Sequence, residues 1–177
     1  MLQTHCPNAH SLGSVTGPTH RVLSEAEALS RLRSKRGQPG YLAMFSSWLG
    51  GIVTDPALMQ IPLDDHLVHR GHGVFDTCTL SDGRLYRLGI HMDRLLTSAS
   101  LARIEHSWTK EDLIQMVTDT ASQTGIKDGA VRYWLTTGPG GFSPSPQECD
   151  EACFYCVIFG PMPLGGDGSN PMSSGIP

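Results

Sequence analysis

A strand-turn-strand pattern in the middle of the chain constrains its fold most. Residues 74–80 read VFDTCTL, and their alternation predicts a β-strand. Asp82-Gly83 follows, a dipeptide typical of a two-residue hairpin turn, and residues 84–88, RLYRL, are predicted to return as the partner strand. Strands joined by so short a turn pair antiparallel. The first strand is predicted to present Val74, Asp76, Cys78 and Leu80 on one face, and Phe75, Thr77 and Thr79 on the other.

Helices and further strands are distributed irregularly around this hairpin. Ser24 and Glu27 form a capping-box pattern, Thr109 opens another in T-K-E-D, and a helical pattern runs from about Ile90 to Arg103. Extended segments are predicted at residues 41–54, with a turn at Gly50-Gly51, and at residues 130–137 and 151–159. No glycine-rich phosphate loop joins a strand to a helix. We therefore predict an α+β fold, with helices packed on a mostly antiparallel sheet.

The two ends of the chain differ in composition from its middle. Residues 1–20 contain no acidic residue, Lys or Arg, and residues 160–177 consist mostly of Gly, Pro, Ser and Asn. We predict a disordered leader over 1–20, one domain over 21–159 and a disordered low-complexity tail over 160–177. The chain has five cysteines, an odd number, and its N-terminus has no apolar secretory signal. Both features indicate reduced thiols in an intracellular protein. Plastid and cytoplasm are not distinguished.

Charge and hydropathy exclude two broad classes of partner. The net charge of −4 argues against a general polyanion binder, so no nucleic-acid partner is predicted. No apolar run approaches membrane-spanning length, so no membrane partner is predicted either.

The histidines and cysteines form two patterns that could hold a metal. His66, His69 and His72 are spaced three apart, but Gly71 and Gly73 argue against the unbroken helix that would align them, so we interpret them as part of a hydrogen-bonded loop. Cys149, Cys153 and Cys156 give C-x3-C-x2-C, a spacing that resembles the iron–sulfur motif of radical S-adenosylmethionine enzymes. Strand alternation would send Cys153 and Cys156 to opposite faces. No metal site is therefore predicted.

Two elements could bind an anion. Arg94, in HMDRLL, lies near a predicted helix start, where it is either half of a surface ion pair or a guanidinium for a phosphate. The loop GPGGFSPSP at residues 138–146, with Arg132 upstream, offers backbone N–H groups for an anion, although a simple turn explains it equally well.

The ordered combination of these motifs resembles one enzyme family. It consists of HRGHGVFDT at 69–77, the Asp-Gly hairpin, the H-x-x-RL-x-x-SA pattern at 91–99, and VRYWLTTGPGGF at 131–142. Residues 22–159 resemble the N-terminal domain of the class IV (fold type IV) pyridoxal-phosphate enzymes. That family includes D-amino-acid and branched-chain aminotransferases and aminodeoxychorismate lyase. Residues 41–77 are especially similar to plant D-amino-acid aminotransferases.

The resemblance implies a cofactor, pyridoxal 5′-phosphate, in a cleft between this domain and a second one. It implies that Arg94 contacts the cofactor phosphate and that Phe75 lines the substrate side, where bacterial D-amino-acid aminotransferases have Tyr. Those enzymes hold the substrate carboxylate with an Arg and a His in the loop after the VRYWLTT strand. This loop has neither, which leaves the backbone N–H groups of Gly140 and Gly141 as substitutes.

The resemblance also implies that the Schiff-base Lys lies in the second domain, outside this chain. Lys35, Lys110 and Lys127 do not match the catalytic motif, so no catalytic residue is assigned. We expect a truncated form without activity of its own, from a family of homodimers that transfer an amino group between a D-amino acid and a 2-oxo acid. Two alternatives stay open. One is an aminodeoxychorismate lyase of the 4-aminobenzoate and folate route, and the other is a non-catalytic fragment that binds full-length subunits.

Overall fold

A computed structural model describes residues 20–35 and 40–160. Four helices and six strands follow one another along these ranges. The helices are α1 (Glu25–Lys35), α2 (His66–Arg70), α3 (Leu88–Leu101) and α4 (Lys110–Ser122). The strands are β1 (Tyr41–Ser46), β2 (Gly51–Val53), β3 (Gly73–Ser81), β4 (Arg84–Leu85), β5 (Gly129–Thr136) and β6 (Cys153–Phe159). The predicted leader and tail fall almost wholly outside the described residues.

The strands form one six-stranded sheet in the order β2-β1-β6-β5-β3-β4, and every pairing is antiparallel. The predicted α+β class is thereby confirmed. Gly73 pairs with Thr136, and Thr136 pairs with Cys153. The start of β3, the end of β5 and the start of β6 therefore lie side by side at one end of the strands. The segments that precede β3 and follow β5 are brought together there.

The central hairpin forms as predicted at its turn but not along its full length. Asp82 and Gly83 have φ angles of 50° and 72°, the left-handed pair that a tight hairpin turn requires. The partner strand, however, ends at Leu85 rather than at residue 88, and α3 begins at Leu88 rather than near Ile90. Leu88 is 7% exposed in the core beneath the helices. Its burial there, rather than at the edge of the sheet, accounts for the early helix start.

The histidine-rich stretch was predicted as a loop, and this prediction is wrong for its first part. His66–Arg70 form the short helix α2, in which Asp65 accepts a hydrogen bond from the N–H of Leu67 at 2.8 Å. Gly71 ends the helix with φ 66°, a conformation that favours glycine. The glycine that argued against a helix is therefore the residue that terminates one.

Both predicted capping boxes are confirmed. Thr109 and Asp112 exchange side-chain and backbone hydrogen bonds at the start of α4. Ser24 and Glu27 do the same at the start of α1. The helix α1 buries none of its residues, and Arg33 ties it to Asp55 at 2.9 Å. It is therefore an accessory to the sheet rather than part of the core.

The core lies mainly between α3, α4 and one face of the sheet. This cluster includes Met92, Leu95, Leu113, Val117, Val131, Tyr133, Leu135, Phe154, Cys156 and Ile158. A smaller cluster on the opposite face includes Met44, Met59, Cys153, Tyr155 and Val157. The prediction that Cys153 and Cys156 face opposite sides is confirmed. Within 20–35 and 40–160, no three His, Cys, Asp or Glu side chains are grouped so as to hold a metal ion.

No helix in the described ranges is both long enough and apolar enough to cross a lipid bilayer.

Candidate functional site

A charged cluster joins α3 to the middle of β3. Arg94 donates two hydrogen bonds to Asp76, from Nε to Oδ2 at 3.0 Å and from Nη2 to Oδ1 at 2.6 Å. His91, one turn earlier on α3, places Nδ1 3.3 Å from the same Oδ2. The side chain of Asp76 is 5% exposed, whereas that of Arg94 is 69% exposed. The buried carboxylate therefore fixes a guanidinium that remains open to solvent.

The sequence predicted Arg94 near the start of a helix, and the structure places it farther along. Because α3 begins at Leu88, Arg94 lies in the second turn, beyond the positive end of the helix dipole. The bidentate contact with Asp76 is what holds it. Among the described residues, Nη1 of Arg94 has no hydrogen-bond acceptor. This free edge is the part of Arg94 that remains available to a phosphate oxygen, and the phosphate role stays a prediction.

Phe75 leaves β3 on the face opposite Asp76. Phe75 is 62% exposed, and the guanidinium carbon of Arg132 lies 5.4 Å from the centroid of its ring. Nε of Arg132 donates to Oγ1 of Thr77 at 3.1 Å, and its two Nη groups have no acceptor in the part of the chain that the structure describes. Arg132 therefore presents an oriented, open guanidinium beside Phe75. The sequence marked it only as lying upstream of the glycine-rich loop.

The register of β3 against β5 is what reveals Arg132. Thr77 pairs with Arg132, and Phe75 pairs with Trp134, so all four side chains share one face. The alternation of each strand could be predicted, but the register that relates the two strands could not. Strand pairing over fifty residues depends on contacts that no local pattern encodes.

The two faces of the sheet that carry the candidate residues meet only along the unpaired edge of β3. β3 pairs with β4 only at Leu80 and Ser81, so residues 73–78 have no strand on that side. Phe75 and the Asp76–Arg94 pair lie on opposite faces of this open edge. A single ligand that contacts both Phe75 and Arg94 must therefore lie across the edge of β3.

Two backbone N–H groups of the glycine-rich loop after β5 were predicted to be free donors, and one of them is already hydrogen-bonded. The N–H of Gly140 donates to the carbonyl of Asp64 at 3.1 Å and is not free to bind a substrate in this structure. The N–H of Gly141 has no acceptor among the described residues, and Gly141 is exposed. Of the two predicted N–H groups, only that of Gly141 is open.

A buried carboxylate anchors α2 to the sheet behind this loop. Asp65 is 0% exposed, and its Oδ2 accepts hydrogen bonds from the hydroxyls of Tyr155 at 2.8 Å and Thr136 at 3.0 Å. Burial, followed by the neighbouring Cys153 and Asp65, raises the pKa of the Tyr155 phenol. Tyr155 therefore stays protonated and acts as a hydrogen-bond donor to Asp65.

The histidines of this region bind backbone carbonyls. Nε2 of His66 lies 3.2 Å from the carbonyl oxygen of Gly141, and Nε2 of His72 lies 3.0 Å from that of Ala102. The predicted hydrogen-bonded role of both is confirmed. His69 instead contacts the ring of Phe142, with 4.9 Å between ring centroids.

Comparison with known proteins shows the family to which the sequence around this site belongs. The model of the amino-transferase class IV family matches residues 73–163, which contain Phe75, Arg94, Arg132 and the glycine-rich loop. The chloroplastic D-amino-acid transaminase of Arabidopsis thaliana is 48% identical over 137 residues, covering 77% of this chain and 37% of the relative. Aminodeoxychorismate lyase of Bacillus subtilis is 30% identical over 98 residues, covering 53% of this chain and 33% of the relative.

The fold agrees with that of a solved member. The crystal structure of Escherichia coli branched-chain amino acid aminotransferase superposes with a TM-score of 0.62 at 19% identity, covering 72% of this chain and 42% of the other. This chain thus spans less than half the length of each of these proteins. The family model and the fold agree, and the chain belongs to the class IV aminotransferase family.

Proposed function

We propose that this chain forms one wall of the cofactor and substrate site of an aminotransferase that moves an amino group between a D-amino acid and a 2-oxo acid. The observation that carries the proposal is the Asp76–Arg94 pair, in which a buried carboxylate holds an exposed guanidinium. The 48% identity to the A. thaliana D-amino-acid transaminase supports the D-amino-acid substrate class. The proposed site lies along the unpaired edge of β3.

In this proposal Arg94 binds the phosphate of pyridoxal 5′-phosphate. Asp76 fixes the direction of the guanidinium, so that little side-chain entropy is lost when a phosphate binds at its free edge. The carboxylate also offsets part of the positive charge of Arg94, so a second phosphate ligand from elsewhere is needed for tight binding. The cofactor, when bound, supplies the electron sink for amino-group transfer.

Phe75 and Arg132 form the substrate side in the same proposal. Phe75 offers an apolar surface without the hydroxyl of a tyrosine, and Arg132 offers a positive charge held by Thr77 at 3.1 Å. The free N–H of Gly141 adds a neutral donor. These groups substitute for the Arg and His that the glycine-rich loop lacks.

We further propose that the 177-residue chain does not catalyse transamination by itself. None of its lysines lies in the candidate site. Nζ of Lys110 is held by Asp93 at 2.6 Å, Lys35 is the last residue of α1, and Lys127 lies in the turn before β5. Mass spectrometry after incubation with pyridoxal phosphate and borohydride reduction tests this point. Stoichiometric labelling of one of these lysines would refute it.

Equilibrium binding of pyridoxal phosphate to the chain tests the role of Arg94. We expect Arg94→Gln to weaken binding about tenfold or more, because a charge-assisted hydrogen bond to phosphate is lost. Arg84→Gln, which removes an exposed arginine from β4, is the matched control and should leave the affinity within about twofold. Equal effects of the two changes would refute a specific role for Arg94.

The reaction itself is tested on any longer polypeptide that the gene encodes. Transfer of the amino group of D-alanine to a 2-oxo acid is the expected result. Cleavage of aminodeoxychorismate without transamination would instead support the lyase, which the 30% identity to the B. subtilis enzyme keeps as the second candidate.

Three further points stay proposals. Any longer polypeptide that contains this chain is proposed to form a homodimer, as the resemblance implies. Its compartment is the plastid or the cytoplasm, and the chloroplastic name of the A. thaliana relative favours the plastid. A non-catalytic role remains the alternative, because Phe75 and Phe142 are 62% and 65% exposed and could contact a full-length subunit. A clean monomer on size exclusion would count against that alternative.

A further inference from the structure

The loop of residues 138–142 is hydrogen-bonded to residues 64–66, where α2 begins. The N–H of His66 donates to the carbonyl of Gly138 at 3.1 Å, and the N–H of Gly140 donates to the carbonyl of Asp64 at 3.1 Å. Asp65 and Pro139 form an isolated β-bridge between these two contacts. The N–H of Gly138 also donates to the hydroxyl of Thr136 at 3.0 Å, so the first half of the loop is held mainly by backbone hydrogen bonds.

The second half of the loop is held by side chains. Nη2 of Arg70 donates to the carbonyl of Phe142 at 3.2 Å, and His66 contacts the carbonyl of Gly141. His66 is 1% exposed, and its Nε2 lies 3.2 Å from the carbonyl oxygen of Gly141 and 3.3 Å from Oε1 of Glu148. A carbonyl can only accept, so Nε2 must carry the proton in this contact. Glu148 belongs to the 3-10 turn Pro146–Glu148, which lies against the loop from another direction. One buried imidazole thus contacts both the loop and the turn that follows it.

Gly140 and Gly141 lie so close to Glu148 that the loop has little room to move. A Cβ atom on Gly141 would collide with Oε2 of Glu148, and one on Gly140 would lie 3.0 Å from the carbonyl oxygen of Glu148. Two consecutive glycines would otherwise be the most mobile part of such a loop. Here the N–H of Gly140 is held on one side and the carbonyl of Gly141 on the other. The peptide group between Gly140 and Gly141 thus lies between two anchored peptide groups, which restricts its rotation about the adjoining φ and ψ angles.

We infer that His66 is a positioning residue for this loop. Its Nε2–H holds the carbonyl of Gly141 beside Glu148 and thereby orients the peptide group between Gly140 and Gly141. That peptide carries the Gly141 N–H, which has no acceptor among the described residues. The consequence for catalysis, a fixed donor for an oxygen of the substrate, rests on the proposed function. The positioning itself does not depend on it.

Amide hydrogen exchange in the full chain tests the inference. We expect His66→Leu to accelerate exchange at the Gly140 amide roughly tenfold or more relative to the amides of β5, because the loop loses a buried hydrogen bond. His66→Gln should restore protection to within about twofold of the wild type, since its amide N–H can reach the same carbonyl. A residue with only a packing role would not be rescued in this way.

His72→Leu is the matched control. It also removes an imidazole that contacts a carbonyl, at 3.0 Å, but that carbonyl belongs to Ala102 at the end of α3. Exchange at Gly140 should then stay within about twofold of the wild type. Equal acceleration in His66→Leu and His72→Leu, or no rescue by His66→Gln, would overturn the inference.

A measurement on the wild type covers the case in which His66→Leu does not fold. Nitrogen-15 NMR of the His66 imidazole should show the proton on Nε2. A proton on Nδ1 alone would overturn the inference, because Nε2 could not then donate to Gly141. None of these measurements uses cofactor or substrate, so the outcome stands apart from that of the proposed function.

Discussion

Asp76 accepts hydrogen bonds from two side chains of α3 while it is itself almost completely buried. An ionised carboxylate is stable in such a place only if it is paired and hydrogen-bonded, and Arg94 and His91 meet both needs. The same contacts leave one edge of Arg94 open. The hydrogen bonds that a buried carboxylate requires thus also orient an exposed guanidinium, the group that we propose binds the cofactor phosphate.

Asp65 provides a second test of buried polar chemistry. We expect Asp65→Ala to lower the free energy of unfolding by about 3 kcal/mol, because the hydroxyls of Tyr155 and Thr136 and the N–H of Leu67 all lose their acceptor. Urea denaturation measures the change. Asp64→Ala is the control and should cost less than about 1 kcal/mol, since the Asp64 side chain makes no hydrogen bond within the described residues. A loss below about 1 kcal/mol for Asp65→Ala would contradict the prediction.

Individual residues could be predicted from the sequence where their role is local. Thr109 and Asp112 satisfy helix N–H groups within four residues, so their pattern was sufficient. Arg132 could not be assigned, because its partner Thr77 lies 55 positions away. His66 was assigned to a hydrogen-bonded segment, but its contact with Gly141, 75 positions away, could not be foreseen.

The β3–β4 hairpin shows both the strength and the limit of prediction for a whole element. Its turn was predicted correctly because Asp82 and Gly83 encode the left-handed backbone directly. Its second strand was overestimated, because the end of β4 is set by the burial of Leu88 under the helices. Local propensity fixes where a chain turns, whereas tertiary packing decides how far a strand continues.

The turn also permits a test at the level of the hairpin. We expect Gly83→Val to destabilise the protein by about 1–2 kcal/mol, because a β-branched residue is strained at φ 72°. Thermal unfolding followed by circular dichroism measures the effect. Gly89→Ala, in the first turn of α3, is the control. A Cβ there would meet no atom closer than 3.8 Å, so Gly89→Ala should be neutral or slightly stabilising. Equal destabilisation by both changes would show that the backbone angle is not the cause.

Buried thiols and phenols in the core lower the stability of the folded state at alkaline pH. Burial raises the pKa of the Cys78 thiol to about 11, with Asp76 adding to the shift, and burial raises the pKa of Cys156 to about 11. The pKa values of Tyr133 and Tyr155 are also raised, mainly by burial. A raised pKa contributes stability that is complete below the unfolded value and is lost as pH rises through the folded value.

We therefore expect the free energy of unfolding to fall between about pH 9 and pH 11, by roughly 2–3 kcal/mol for each of the two thiols. Urea denaturation at pH 7, 9 and 10.5 under reducing conditions checks this. The pH slope should be shallower in Cys156→Ala, which removes one of the titrating groups. A slope equal to that of the wild type in this variant would contradict the assignment.

The alternation of β3 has a consequence for how this chain can vary. Phe75 faces the proposed substrate side and Asp76 faces α3, so the two proposed functions are separated by a single peptide bond. An insertion or deletion of one residue before Phe75 within β3 would exchange the two faces, sending an apolar ring into the core and a carboxylate into the open. We therefore expect a change of one residue in the length of this strand to be tolerated only where a β-bulge absorbs it.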